Sequence, residues 1–130
     1  MSQASQYVLA PVAESHIVAN VPSQEDFKPF LQRDLENYFK TRKAEDVIVK
    51  YEMLRNGPTQ SGVSYPKFYL WVIVQDGGRI IEEGAVRVAA IERQYFEVTN
   101  YLTQSAIKND SSTIFQVFPR PVCNRILGKL

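Results

Sequence analysis

The chain predicts an α+β domain, with one long N-terminal helix packed on an antiparallel meander of about four strands and short helices after it. Three observations carry that reading. Phe27, Phe30, Leu31, Leu35, Tyr38 and Phe39 recur at three- and four-residue steps, the period of a helix with one buried stripe. Phe68 to Val74 is an unbroken run of aromatic and aliphatic, mostly β-favouring residues, followed by the turn signal Asp76-Gly77-Gly78 and a second β-rich run ending at Ile91. Asp-Gly between two such runs predicts a hairpin, because a tight primed turn requires positive φ. From Thr103 onward, capping residues and helix breakers alternate every few positions, which limits any helix there to a few turns.

At 130 residues the chain is long enough for one core of ordinary size, and an apolar share of 45% with 22% charged residues is globular in composition. A formal net charge of +1 provides no general attraction for polyanions and argues against an electrostatically driven nucleic-acid binder. The lone Cys123 forms no internal disulfide, so nothing depends on an oxidising compartment. No basic region followed by a hydrophobic stretch opens the chain, and the Phe68 to Val74 run is too short to span a bilayer as a helix. The expectation is a cytoplasmic protein without a membrane span; a mature exported form would read the same way.

Taken in order, residues 1–22 show no helical period: Tyr7-Val8-Leu9 and Ile17-Val18 flank Pro11, and Pro22 closes the segment. This reads as an extended N-terminal arm with at most a short edge strand, ahead of a single α+β domain over 23–130. The only histidine, His16, lies in the arm without nameable partners and is read as a surface or packing residue. Asp26 is the expected N-cap of the long helix, which places Pro29 in the first turn where no backbone donor is lost. Ser23 is the alternative cap, at the cost of setting Pro29 deeper. Lys40, Arg42 and Lys43 complement the negative end of that helix. Val47, Val49, Tyr51 and Met53 alternate with Ile48, Lys50, Glu52 and Leu54 as a half-buried strand, which Asn56-Gly57-Pro58 ends.

The central hairpin permits a register argument. With Gly77-Gly78 as the loop, strict pairing sets Glu83 opposite Val72 and Arg87 opposite Phe68, with charges on the apolar face. One bulge residue at Glu82-Glu83 repairs this: Gly84 meets Val72, Val86 meets Leu70 and Val88 meets Phe68. The reverse face then pairs Tyr69 with Arg87, Trp71 with Ala85 and Lys67 with Ala89. A turn at Glu92-Arg93-Gln94 leads into a strand from Tyr95 to Leu102, with Phe96 opposite Ala90 and Val98 opposite Val88. Its reverse face carries Tyr95, Glu97, Thr99 and Tyr101. Thr103 caps a short helix through Ile107, Ser111 or Ser112 caps another through Phe118, and Pro121 opens a last one ending at Gly128.

No catalytic or metal-binding motif and no cofactor signature accompanies this framework. Ser64-Tyr65-Pro66-Lys67 and Ser105-Ala106-Ile107-Lys108 both match S-x-x-K, but neither has the companion elements of an acyl-enzyme site. Glu52, Glu82, Glu83, Glu92 and Glu97 offer carboxylates whose pairing the sequence does not show, and Gly77-Gly78 lacks a phosphate-loop pattern. An RNA-stacking sheet is disfavoured by the missing glycine-aromatic signature. The candidate partner-binding surface is the reverse sheet face, Lys67, Tyr69, Trp71, Arg87, Tyr95, Glu97 and Tyr101, because Tyr, Trp and Arg are enriched in interface hot spots. Arg87 across from Tyr69 is placed for a cation–π contact. Alternatively, the segment from Ile114 to Ile126 folds over this face as a second core layer.

The order of helix, meander and short helices resembles the cystatin-like and nuclear-transport-factor-like group of helix-wrapped sheets. The expected function is a non-catalytic binding or assembly module that docks a protein partner, or a second copy of itself as a dimer, through the aromatic face. The alternative, which the resemblance implies, is a small-molecule pocket protein or small enzyme, with Tyr51, Tyr69, Trp71, Arg87 and Glu97 serving a cavity between helix and sheet. On the first reading Trp71→Arg or Tyr69→Ala abolishes association and leaves the fold intact.

Overall fold

A computed structural model describes residues 14–130. The expected strand near Tyr7 and the rest of 1–13 lie outside the described residues. Residues 14–20 (α1) are helical where an extended arm is expected. The long helix is α2 (Gln24–Arg42), followed by β1 (Ile48–Met53), β2 (Lys67–Asp76), β3 (Arg79–Ile91) and β4 (Tyr95–Thr103). Then come α3 (Gln104–Asn109), a 3-10 turn over Ser111–Gln116, and α4 (Arg120–Leu127). The strands form one antiparallel sheet in the order β1-β2-β3-β4, so the α+β meander stands as the sequence predicts.

The helix α2 starts three residues earlier than an Asp26 cap implies. Ser23 occupies the N-cap, and its hydroxyl donates to Asp26 Oδ2 (3.1 Å) instead of satisfying a backbone donor. Pro29 therefore sits inside the helix. The carbonyl it leaves without a donor belongs to exposed Glu25, where water can serve it. Leu31, Leu35 and Phe39 form the buried stripe and meet Val49, Phe68, Leu70, Val72, Val86, Val88 and Phe96 from one face of the sheet. This is the main core.

The hairpin register agrees pair for pair with the bulged prediction: Phe68 with Val88, Leu70 with Val86, Val72 with Gly84, Tyr69 with Arg87 and Trp71 with Ala85. Gly77 (φ 61°) and Gly78 (φ 80°) supply the two left-handed residues of the turn. The extra residue is Ile81, however, not one of the two glutamates, since Val74 pairs with Glu82 and Gln75 with Ile80. The parity downstream is the same for either position, and for that reason the pattern of valines could not tell them apart.

A second bulge was not foreseen. Val88 pairs with Val98 but Arg87 pairs with Asn100, leaving Thr99 as an extra residue in β4. One inserted residue exchanges faces, so Tyr101 lies opposite Val86 on the helix side, packed edge-on against Phe39 with ring centroids 5.0 Å apart. Tyr101 is therefore removed from the reverse face to which the sequence assigns it.

The β3–β4 turn holds Glu92 (φ 53°) and Arg93 (φ 62°) in the left-handed region, a conformation that costs a non-glycine residue roughly 1–2 kcal/mol. Asn20 at the end of α1 supports them. Its Oδ1 accepts from the Glu92 amide (3.0 Å) and its carbonyl accepts from the Arg93 amide (2.7 Å). Residues 14–20 are thus docked onto the domain. Asn20→Ala is expected to lower stability by about 1–2 kcal/mol and to speed amide exchange at Glu92 and Arg93; unchanged exchange there would contradict the clamp.

The reverse face is covered by the C-terminal helices. Ile107, Ile114, Phe118, Val122, Cys123 and Ile126 pack with Leu54, Tyr69, Trp71 and Ala85 in a second core. Thr103 Oγ1 caps α3 by accepting from the Ala106 amide (3.1 Å), as expected. The 3-10 turn is capped by Asp110, whose Oδ1 accepts from the Ser112 amide (3.1 Å), and not by Ser111 or Ser112. Pro121 stands in the first turn of α4, which ends at Gly128.

Candidate functional site

The seven residues expected on one docking face fall into three environments. Tyr69 and Trp71 are buried at 4% and 3% exposure, so they are core and not surface. The Tyr69 hydroxyl shares a hydrogen bond with Thr59 Oγ1 (2.6 Å), and Trp71 Nε1 donates to Glu83 Oε1 (3.0 Å). The sheet residues are apolar on both sides here, and two sets of helices are available to cover them. That is the physical reason the face closes. Tyr101 is on the helix side, and its hydroxyl donates to Glu82 Oε1 (2.7 Å) while Lys43 Nζ reaches Glu82 Oε2 (3.0 Å).

Lys67, Arg87, Tyr95 and Glu97 stay on the part of the face that the helices leave open, the first two half-buried and the others exposed. Arg87 Nε donates to Thr99 Oγ1 (2.8 Å), and among the described residues its guanidinium does not stack on Tyr69 or Trp71. Lys67 Nζ donates to the Tyr65 carbonyl (2.7 Å). Desolvation, then the neighbouring Arg87, pushes the Lys67 pKa down.

Tyr101 is pushed above its ordinary value of 10.0 by burial, and further by the Glu82 carboxylate that accepts its hydrogen bond. A hydroxyl whose folded-state pKa is raised adds stability that is complete below the unfolded value and is lost as pH climbs past it. Stability should therefore fall above about pH 10, and Tyr101→Phe should flatten that decline in urea titrations at stepped pH. An identical slope in the variant would assign the alkaline loss to other groups.

The sheet edges are where α2 does more than fill the core. Successive residues of a helix turn by about 100°, so Asp34 projects from the flank opposite Gln32 and Glu36. Gln32 Nε2 donates to the Val49 carbonyl (2.7 Å), and the Val49 amide donates to Glu36 Oε2 (3.3 Å). On the other flank the Phe96 amide donates to Asp34 Oδ2 (2.7 Å). One helix thus caps one outward residue on each edge strand, Val49 of β1 and Phe96 of β4, where exposed edges otherwise offer their backbone to other chains.

The cover is incomplete on β1. Because Val49 turns its amide and carbonyl away from β2, the antiparallel alternation turns those of Tyr51 and Met53 outward as well. The Leu54 amide donating to the Tyr69 carbonyl (2.8 Å) agrees with that phase. Among the described residues no hydrogen bond reaches the outward groups of Tyr51 or Met53. The β4 edge, by contrast, is interrupted by the Thr99 bulge just beyond its Asp34 cap.

Beside Met53 a cavity of about 450 Å³ opens at the end of the helix–sheet sandwich, lined by Phe27, Met53, Arg55, Asn56, Gly57, Phe68 and Arg125. Its floor is aromatic and thioether, with Phe27 and Phe68 in edge-to-face contact at 5.0 Å. Its rim carries two guanidinium groups. Arg55 Nη1 donates to the carbonyls of Gly57 (3.0 Å) and Pro58 (2.6 Å), and among the described residues it has no carboxylate partner. Arg125 shares Glu52 with Lys129, and these cations hold the Glu52 carboxyl below the usual carboxylate range. Of the residues expected to serve a pocket, Tyr51 lies in β1 near this opening, while Tyr69, Trp71, Arg87 and Glu97 belong to the reverse face. The signal for this site in the sequence is only Met53-Leu54-Arg55 running into Asn56-Gly57-Pro58, a strand that ends in a basic turn.

Cys123 is buried, its thiol pushed up by desolvation and donating to the Phe118 carbonyl (3.2 Å). Among the described residues, no three His, Cys, Asp or Glu side chains gather as a metal site, and no helix is long and apolar enough to cross a membrane. No family model, curated protein or solved structure matches this chain.

Proposed function

We propose that the protein is a non-catalytic binding module that docks an extended segment of a protein partner along the free edge of β1. The observation that carries this reading is the pair of outward backbone groups at Tyr51 and Met53, which no described residue caps, beside an apolar cavity, on a sheet whose other edge is interrupted by the Thr99 bulge. In such strand addition the main-chain hydrogen bonds supply affinity and the adjoining pocket supplies selectivity. A partner on the reverse face, at Lys67, Arg87, Tyr95 and Glu97, has less to support it, because the aromatic anchors Tyr69 and Trp71 are already packed within the chain.

The test uses a displayed library of linear peptides. Tyr51→Pro removes one outward donor without touching the β1–β2 ladder, since proline is tolerated where an edge N–H faces solvent, and Tyr51→Val keeps the donor. Selected peptides should bind wild type and the valine variant alike and lose about five- to tenfold with proline, one hydrogen bond and its geometry being worth about 1–1.5 kcal/mol. Equal binding to both variants, or no selected binder, would remove the proposal. Should sedimentation show a wild-type dimer that Tyr51→Pro dissociates, the occupant of the edge is a second copy and not another protein.

The cavity volume also lies within the range of small-ligand sites, and this favours the pocket-protein reading as the second choice. A thermal shift with free apolar carboxylates that persists in Tyr51→Pro would move the assignment there.

A further inference from the structure

We propose that the segment docked on β1 is acidic, with an apolar side chain entering the cavity opposite Met53 and a carboxylate beyond it meeting Arg55 and Arg125. This rests on the strand-addition reading of the same edge. A strand laid beside β1 alternates its side chains between the two sheet faces, so the residue abreast of Met53 projects on the helix face, toward the floor formed by Phe27 and Phe68. That floor has aromatic and thioether groups and no acceptor or donor of its own, which suits an aliphatic or aromatic side chain.

The charges around the edge are uneven. Whole-chain charge is nearly balanced, at 15 Lys and Arg against 14 Asp and Glu. At the cavity mouth, however, Arg55 has no carboxylate partner among the described residues, while Arg125 and Lys129 share Glu52. At the other end of β1 the protein presents a carboxylate, Glu36, already engaged with the Val49 amide. Glu36 is thus spent on the protein's own backbone, whereas Arg55 has no carboxylate among the described residues. An extended segment gains most by placing its own carboxylate at the Arg55 end, where a guanidinium whose present partners are neutral carbonyls can exchange them for a charged acceptor.

The peptides selected on wild type should be enriched in an apolar residue followed within a few positions by Asp or Glu, and their affinity should fall with added salt. Arg55→Glu should weaken an acidic selected peptide by about tenfold or more and shift a fresh selection toward Lys and Arg. Its backbone contacts are confined to its own loop, so the fold is left in place, and a far-ultraviolet spectrum with an unchanged melting point verifies that. Arg125→Gln is the second variant, with a smaller loss expected because Arg125 is partly neutralised by Glu52. If neutral and basic peptides bind as well as acidic ones while Tyr51→Pro still weakens binding, the charge assignment is wrong and the edge reading stands. If proline at that position has no effect, both fall together.

Discussion

Trp71→Ala is expected to remove about 3–5 kcal/mol of stability, a large share of what a domain of this size has. The indole is 3% exposed, in one cluster with Ile107, Ile114, Phe118, Val122 and Ile126. Truncation leaves a cavity between the sheet and the C-terminal helices, and its cost depends on how far the surrounding side chains close into it. It also strips Glu83 of the indole donor. Urea unfolding followed by circular dichroism reads the loss, and amide exchange should show α3 and α4 losing protection first. Trp71→Phe, which keeps most of the volume, should cost much less. A variant with a wild-type midpoint would mean that the helices do not seal this face, and would restore Trp71 as a docking residue.

The second large effect belongs to Gly84. It sits in β3 opposite Val72 on one side and Thr103 on the other, with an ordinary backbone conformation, so its role is space and not turn geometry. A Cβ there would overlap the Leu102 carbonyl and come within 2.8 Å of Tyr101 Cε1 and 2.9 Å of Thr103 Cα. Two of these three neighbours are backbone, which has nowhere to go without breaking the β3–β4 ladder. Gly84→Ala is expected to cost about 3 kcal/mol, at the upper end for overpacking, and to raise amide exchange over Tyr101–Thr103. A midpoint unchanged from wild type would show that β4 can retreat freely. The two bulges meet at this point: Ile81 sets the phase that brings Gly84 here, and Thr99 turns Tyr101 across it.

These two positions also mark how far the candidate site could be read from residues alone. The pairing of Gly84 with Val72 follows from keeping valines on one face, and the structure has that pairing. The same logic failed one strand later, because Tyr101 and Leu102 are both acceptable to a core. An inserted residue at Thr99 therefore leaves no mark in the hydrophobic pattern. Helix α1 was missed for a related reason. It is tied by Asn20 to a turn more than seventy residues away, and a short helix has little local signal of its own.

What the sequence alone determined is what local periodicity and local capping govern: the α2 stripe, the hairpin and its parity, the cap at Thr103 and a last helix with Pro121 in its first turn. What only the tertiary structure decided is which surfaces remain free. Tyr69 and Trp71 were equally fit for an interface or a core, and the choice was made by where residues 104–127 fold. Likewise, among the described residues, Gln32 and Glu36 of α2 reach Val49 and leave the outward groups of Tyr51 and Met53 without a partner. Exposure is a property of the packed whole, since burying a face requires a second element whose position no local pattern encodes.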